Sequence, residues 1–285
     1  MMEILLLRGG RAMERVFSLC SARAIARAQN HLYLAPHPLL RPWVAHYTFT
    51  FPSGPPEDGT LALIPDASGC ILLSLDGEAR ALAWGATTEV AVVRRDFNES
   101  PVRFFIEFLP GALGALTGIP QEELRDRRFT LGEADAALAA ALEAAAGRAA
   151  DADALAEETD RLLLARFSGR ALPGAVRGAM QRLRESSGML PVGELAAESG
   201  YSQRHLNRLF GETVGMNVKT FARLVRVNGA IRLLRQGSGS LAALAQEAGF
   251  YDQSHFIHDF SHICGVAPGA YLQNLSAFYN EIFKF

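Results

Sequence analysis

The chain has 285 residues, 49% of them hydrophobic, with 28 Lys and Arg against 30 Asp and Glu for a formal net charge of −2. That balance excludes a strongly basic nucleic-acid module and suits two globular domains, each long enough to bury a core. No apolar run approaches the roughly 18–20 residues needed to span a bilayer, and the three cysteines, Cys20, Cys70 and Cys264, lack the spacing of a disulfide or zinc framework, so the expected compartment is the cytoplasm, with no membrane partner.

Taken in chain order, residues 1–29 read as a leader, helical or disordered. The apolar patch Ile4 to Leu7 is shorter than the ~7–15 residues of a signal-peptide core. Residues 30–132 read as a β-rich domain. Short apolar stretches run Leu61 to Ile64, Cys70 to Leu75, Ala79 to Trp84, Val90 to Val93 and Val102 to Leu109, with turn signals at Pro65-Asp66, Asp76-Gly77 and Asn98 to Pro101. Strands at such spacing suggest a barrel or sandwich.

Trp43, Trp84, Phe104, Phe105, Arg103 and Glu107 could line a ligand pocket, the rings as apolar walls and the ions fixing a polar group. The competing reading puts the aromatics in the core and pairs Arg103 with Glu107 along one strand face. The segment shows no nucleophile elbow, no phosphate-cradling glycine loop and no clustered metal ligands, since His31, His37 and His46 precede the apolar stretches. Catalytic residues, metal ligands and cofactors are therefore not predicted.

Residues 133–173 read as a helical connector and linker. Glu133 to Phe167 is alanine-rich and predicts two helices broken near Gly147, with one apolar stripe of Leu138, Ala141, Leu142 and Ala145 and another of Leu155, Leu162 and Leu163. Those stripes either form a homodimer contact or pack on the β domain. The Gly- and Pro-containing stretch from Ser168 to Gly174 is the interdomain linker.

Residues 174–285 carry the most informative pattern. Leu195-Ala196 followed by Gly200-Tyr201 recurs as Leu244-Ala245 followed by Gly249-Phe250, at an offset of 49. The match then resumes at an offset of 50, pairing Leu206 with Phe256, Phe210 with Phe260, Gly215 with Gly265 and Phe221 with Tyr271. Each copy predicts helix, turn, helix: a glycine for the turn, a cap at Ser202 in the first copy and at Asp252 or Tyr251 in the second, then a helix with a buried apolar stripe. The first such helix leaves Gln203, Arg204, His205, Asn207 and Arg208 outward, and the second Gln253, Ser254, His255 and His258. Arg, Asn and Gln on an exposed helix can read guanine and adenine edges in the major groove. A pair of plain helical hairpins is the alternative, which duplication disfavours. Val218 to Leu234 reads as a joining helix about 25 Å long at ~1.5 Å per residue, consistent with recognition helices spaced by one DNA turn of roughly 34 Å.

The stretch from Gly174 to Tyr271 resembles the DNA-binding domain of the AraC/XylS family of bacterial transcription regulators. The resemblance is carried by Ala248-Gly249-Phe250-Tyr251-Asp252-Gln253-Ser254-His255-Phe256, continued by Phe260, Gly265, Pro268 and Tyr271, and by Leu195-Ala196, Ser202, Leu206, Phe210, Gly215, Arg226 and Ala230. It implies a seven-helix domain with two recognition helices binding double-stranded DNA, fused to a domain that senses an effector or mediates dimerisation. An activator of this type would also contact RNA polymerase. Pro65-Asp66, Gly85 and Phe108-Leu109-Pro110-Gly111 with Leu116 and Gly118 look like the N-terminal domain of a subgroup of the same regulators, which implies a cupin-like fold. The fold class expected is thus two-domain α+β: a cupin-like barrel or sandwich, a helical connector and an all-α domain with two helix-turn-helix units. The rival functions are a small-molecule-binding protein whose DNA-binding domain has degenerated and a cupin-type metalloenzyme.

Where the family carries cations behind each buried Phe, this sequence has Gly211-Glu212 and Ser261-His262; His258 and Leu272 also replace common arginines. From Gly174 onward eleven cations face eight anions, so modest intrinsic DNA affinity is expected, raised by dimerisation or effector. His258 and His262, four apart on one helical face, could gain charge beside phosphate as pH falls toward ~6. A metal held by the same pair would need His255 or Cys264 as a further ligand.

Overall fold

The computed structural model of the chain describes residues 4–8, 14–28, 30–52, 59–77, 79–94, 102–237, 240–274 and 278–279. The β region comprises β1 (Ile4–Arg8), β2 (Glu14–Ser18), β3 (Ala24–Ala28), β4 (His31–Leu34), β5 (Val44–Thr50), β6 (Thr60–Leu63), β7 (Cys70–Ser74), β8 (Ala81–Trp84), β9 (Ala91–Arg94) and β10 (Arg103–Phe108). Two short helices, α1 (Ala112–Thr117) and α2 (Gln121–Leu124), precede β11 (Arg128–Thr130). The strand order β11-β8-β7-β10-β5-β4-β3 makes one seven-stranded antiparallel sheet, β1 and β2 form a hairpin, and β6 pairs with β9 in a separate sheet.

Alternation divides the large sheet into two faces. Leu32, Leu34, Tyr47, Phe49, Ile71, Leu73, Phe104 and Ile106 point into the main core. That face is covered by α4 (Ala136–Arg148) and α5 (Ala152–Phe167), which follow the single turn α3 (Leu131–Ala134). Leu138, Leu142, Ala145, Leu155 and Leu163 are all buried there. The apolar stripes of the connector therefore pack on the β domain of their own chain rather than forming a homodimer contact. Asp160 of α5 fastens the layers, accepting hydrogen bonds from the Tyr47 hydroxyl at 2.6 Å and the His37 amide at 3.0 Å and pairing with Arg23 at 2.6 Å. This burial beside a carboxylate drives the Tyr47 phenol well above its ordinary range.

Three expectations need correction. The leader is neither helical nor disordered where it is described: it contributes β1, β2 and β3, with Leu7, Phe17 and Leu19 in the main core. Five-residue stretches, whether an apolar run as in Ile4–Arg8 or a mixed one as in Glu14–Ser18, carry too weak a period to be read before their partners are known. His31 and His46 do not precede the strands but lie within β4 and β5. At the other end, β12 (Phe278–Tyr279) leaves the helical domain and pairs in parallel with Ala62 and Leu63 of β6. The expected turn at Asn98 to Pro101 lies outside the described residues.

The rest of the chain is helical: α6 (Gly174–Glu185), α7 (Val192–Glu198), α8 (Gln203–Val214), α9 (Val218–Arg235), α10 (Leu241–Glu247), α11 (Gln253–Cys264) and α12 (Pro268–Gln273), seven helices among the described residues. Their shared core holds Leu206, Phe210, Phe221, Phe256, Phe260 and Tyr271, and also takes in Ile64, Ala67 and Ala86 from the β region. No described helix is long and apolar enough to cross a membrane.

Candidate nucleic-acid interface

Both helix pairs are built by the same local rules. In the first, Gly200 turns the chain at φ +70°, and the Ser202 hydroxyl then accepts the His205 amide at 3.2 Å to start α8. In the second, Gly249 turns at φ +80° and the Asp252 carboxylate accepts the His255 amide at 2.7 Å to start α11. Leu206, Phe210 and Val214 bury one stripe of α8; Phe256, Phe260 and Ile263 bury the equivalent stripe of α11. Fully burying each such side chain contributes about 1.5–3 kcal/mol, which fixes the opposite stripe toward solvent.

On α8 that outer stripe exposes Gln203, Arg204 and Arg208. Arg208 is held by Glu212 at 2.7 Å, while His205 packs at a tilt against Tyr201 with ring centroids 4.5 Å apart. Asn207 is committed to structure: its side-chain oxygen accepts the Val218 amide at 3.1 Å, capping α9, and its amide donates to the Gln203 carbonyl at 2.9 Å. On α11, Gln253, Ser254, His258 and His262 are exposed and His255 is half-buried. The sequence-predicted residues thus fall on the free faces of two equivalently capped helices, apart from His205, Asn207 and His255, which are half-buried.

A buried charge behind α11 escaped sequence reading. The side chain of Asp259 is only 4% exposed, yet it pairs with Arg223 at 3.2 Å and Arg226 at 3.4 Å, both from α9, and with His255 at 3.3 Å; His258 approaches at 3.4 Å. Arg226 also donates to the Gly188 carbonyl at 2.5 Å and lies over the Phe250 ring. The available signal was an acid at an inward position, between Phe256, Phe260 and Ile263. The Cys264 thiol is buried, and desolvation pushes its pKa up to about 12, so it is a poor metal ligand beside His258 and His262. Among the described residues no group of three or more His, Cys, Asp or Glu could hold a metal ion.

The β region meets the first recognition helix at its C-terminal end. Gly215 stops α8 at φ +85°, and a Cβ there would stand 2.9 Å from the Gln121 carbonyl oxygen. Arg125 donates to the Gly215 carbonyl at 3.0 Å, and Gln121 is fully buried. The half of α8 that carries Gln203 and Arg204 stays clear of this contact.

Of the six candidate ligand residues, Trp84, Arg103, Phe105 and Glu107 share the second face of the large sheet. Glu107 stands opposite both His46 and Cys70, Cys70 opposite Trp84, and Trp84 opposite Arg128, making one row across five strands. Arg103 lies two rows away, beyond Phe105. Phe104 and Trp43 belong to the main core instead, Trp43 stacked on Phe167 of α5 at 4.6 Å.

Capped, amphipathic helices displayed in pairs by a joining helix define a helix-turn-helix domain. The profile described as "Helix-turn-helix domain" matches residues 195–274. Over 83 residues the chain is 35% identical to the uncharacterised HTH-type transcriptional regulator YidL of Escherichia coli, covering 29% of this chain and 28% of YidL. Over 73 residues it is 36% identical to the transcriptional activator RhaR of Pectobacterium carotovorum, covering 26% of each. Among solved structures, a probable AraC family regulator from Rhodopseudomonas palustris is 29% identical with a TM-score of 0.32, over 38% of this chain and all of that one. Residues 195–274 therefore form a helix-turn-helix domain, and this chain spans about a quarter of the length of the curated relatives it matches.

Proposed function

We propose that the protein is a sequence-specific DNA-binding transcription regulator, acting in the cytoplasm, that reads two successive major grooves through α8 and α11. The observation that carries this reading is the pair of exposed helix faces, Gln203, Arg204 and Arg208 on one and Gln253, Ser254 and His258 on the other, each beginning at a side-chain cap. Arg204 and Gln253 have the donor geometry for base edges, while Arg208, His258 and His262 suit phosphates. Asn207 supports α9 and His255 supports Asp259, so neither is a base-reading group in this scheme.

The β region would modulate this activity in a cupin-like manner, with an effector taken by the sheet face that carries Trp84, Arg103 and Glu107. A homodimer and, for an activator, RNA polymerase complete the partners. Selection of bound fragments from a genomic library tests the central claim. The expected result is an enriched site with two protected major grooves about 10 base pairs apart; uniform recovery of all fragments at every salt concentration refutes sequence-specific binding.

A further inference from the structure

A cavity of about 530 Å³ opens where the β region, the linker and α6 meet. It is separate from the sheet face that carries Trp84 and from the exposed stripes of α8 and α11. Its lining combines apolar Trp43, Leu109 and Met180 with the cations Arg170, Arg177 and Arg184. Arg177 and Arg184 are seven residues apart, two turns along one stripe of α6, with Met180 between them.

The cations are not spent on each other's neighbours. Glu185 also reaches the cavity wall, but its carboxylate is engaged by Gln181 at 2.8 Å and by Arg182 at 3.6 Å. Arg170 uses one nitrogen on the Ala115 carbonyl. Among the described residues neither Arg177 nor Arg184 is paired with a carboxylate; Arg184 lies over the Phe221 ring, its guanidinium carbon 6.0 Å from the centroid.

We infer that this interdomain cavity binds a small organic anion, a carboxylate or phosphate carried on a flat apolar body. Its volume suits a ligand of that class, the arginines supply forked donors for the anion, and Trp43, already stacked on Phe167, offers a rigid edge to the body. A molecule seated there would touch the β region, the linker and the first helix of the DNA-binding domain at once. Its binding energy would therefore depend on the angle between them.

The full chain is titrated calorimetrically with 1-naphthoate and 1-naphthyl phosphate, and with neutral 1-naphthalenemethanol, against the unaltered protein and the Arg177→Gln/Arg184→Gln double variant. Arg177 is exposed and Arg184 is partly desolvated over the Phe221 ring, so an unchanged circular-dichroism melt checks that the variant is folded. Saturable one-site binding of either anion, at least tenfold weaker in the double variant and at least tenfold weaker for the alcohol, is expected. The proposal is overturned if neither anion binds at millimolar concentration, or if the double variant binds it equally. It is also overturned if the substitutions weaken DNA binding in the absence of any anion while leaving naphthoate binding intact, because the arginines would then be phosphate contacts. Anion binding is read without DNA, so its outcome is independent of the regulator assignment.

Discussion

Asp259→Asn is the most informative single change, because one buried carboxylate holds α11 against α9. The side chain is 4% exposed and faces two arginines and a histidine within 3.4 Å. Removing one partner of a buried ion pair costs about 3–5 kcal/mol. The amide keeps one oxygen that can still accept, which recovers about 1 kcal/mol. Arg223 and Arg226 are 23% and 14% exposed, so water also re-solvates part of their charge. The net expectation is a loss of about 2–3 kcal/mol, a large fraction of the ~5–15 kcal/mol that holds a domain folded. Urea unfolding followed at 222 nm should show a midpoint lowered by about 1 M at a slope of ~2–3 kcal/mol per M. Combining it with Arg226→Met should give a coupling above ~1 kcal/mol, since the two groups share one contact. A loss below about 0.5 kcal/mol, or full additivity in the double variant, would refute the claim that this carboxylate fastens the second recognition helix.

Arg204→Ala is expected to leave the urea midpoint unchanged and to cost about 1–3 kcal/mol at one base pair if it reads guanine, or to flatten the salt slope by about one unit if it meets phosphate, as measured by fluorescence anisotropy on a selected site. Asn207→Ala should do the reverse, lowering stability by ~1 kcal/mol through the lost hydrogen bond to the Val218 amide at the start of α9 while the preferred sequence stays the same in a repeated selection. Gly215→Ala should lower stability by about 2 kcal/mol or more in thermal melts, because the left-handed backbone disfavours a side chain and the new carbon meets the Gln121 carbonyl. In thiol titration with an aromatic disulfide near neutral pH, exposed Cys20 should react at once and Cys264 only on unfolding. Because the folded Cys264 value of about 12 lies above that of an unfolded thiol, near ~8.5, its stabilising share is intact below pH ~8.5 and fades as pH climbs toward 12, so urea midpoints should fall across that window.

The helical domain was legible because its signals are local. A turn glycine, a cap two or three residues later and an apolar stripe at 3.6 spacing each act within one or two turns, and the second copy repeats them in the same order. Strands β6 to β10 were legible to within a residue or two for the same reason, bounded by turn residues on either side. What escaped depends on partners distant in sequence. The hairpin β1-β2 is recognisable only from its pairing and from Phe17 meeting Phe49 at 5.8 Å. Trp43 could be matched to Phe167 only once α5 lay across the sheet, and the polar row from His46 to Trp84 exists only through the register of four strands. The backbone contacts of Asn207 were not legible either, because an outward amide on a recognition helix has the same local pattern whether it faces a base or bonds to the start of the following helix.

The interdomain contact also bears on the missing cation at position 211. A Cβ on Gly211 would stand 3.1 Å from the Glu122 carboxylate of α2, and one on Gly111, just before α1, would stand 3.1 Å from the Thr213 carbonyl, so the end of α8 approaches α1 and α2 through glycine on both sides. A basic side chain at 211 would meet an acid of its own chain before it met a phosphate. With Arg125 bound to the Gly215 carbonyl, this seam connects the first recognition helix to the β region directly, without passing through the linker, whereas α11 is tied through Asp259 to α9.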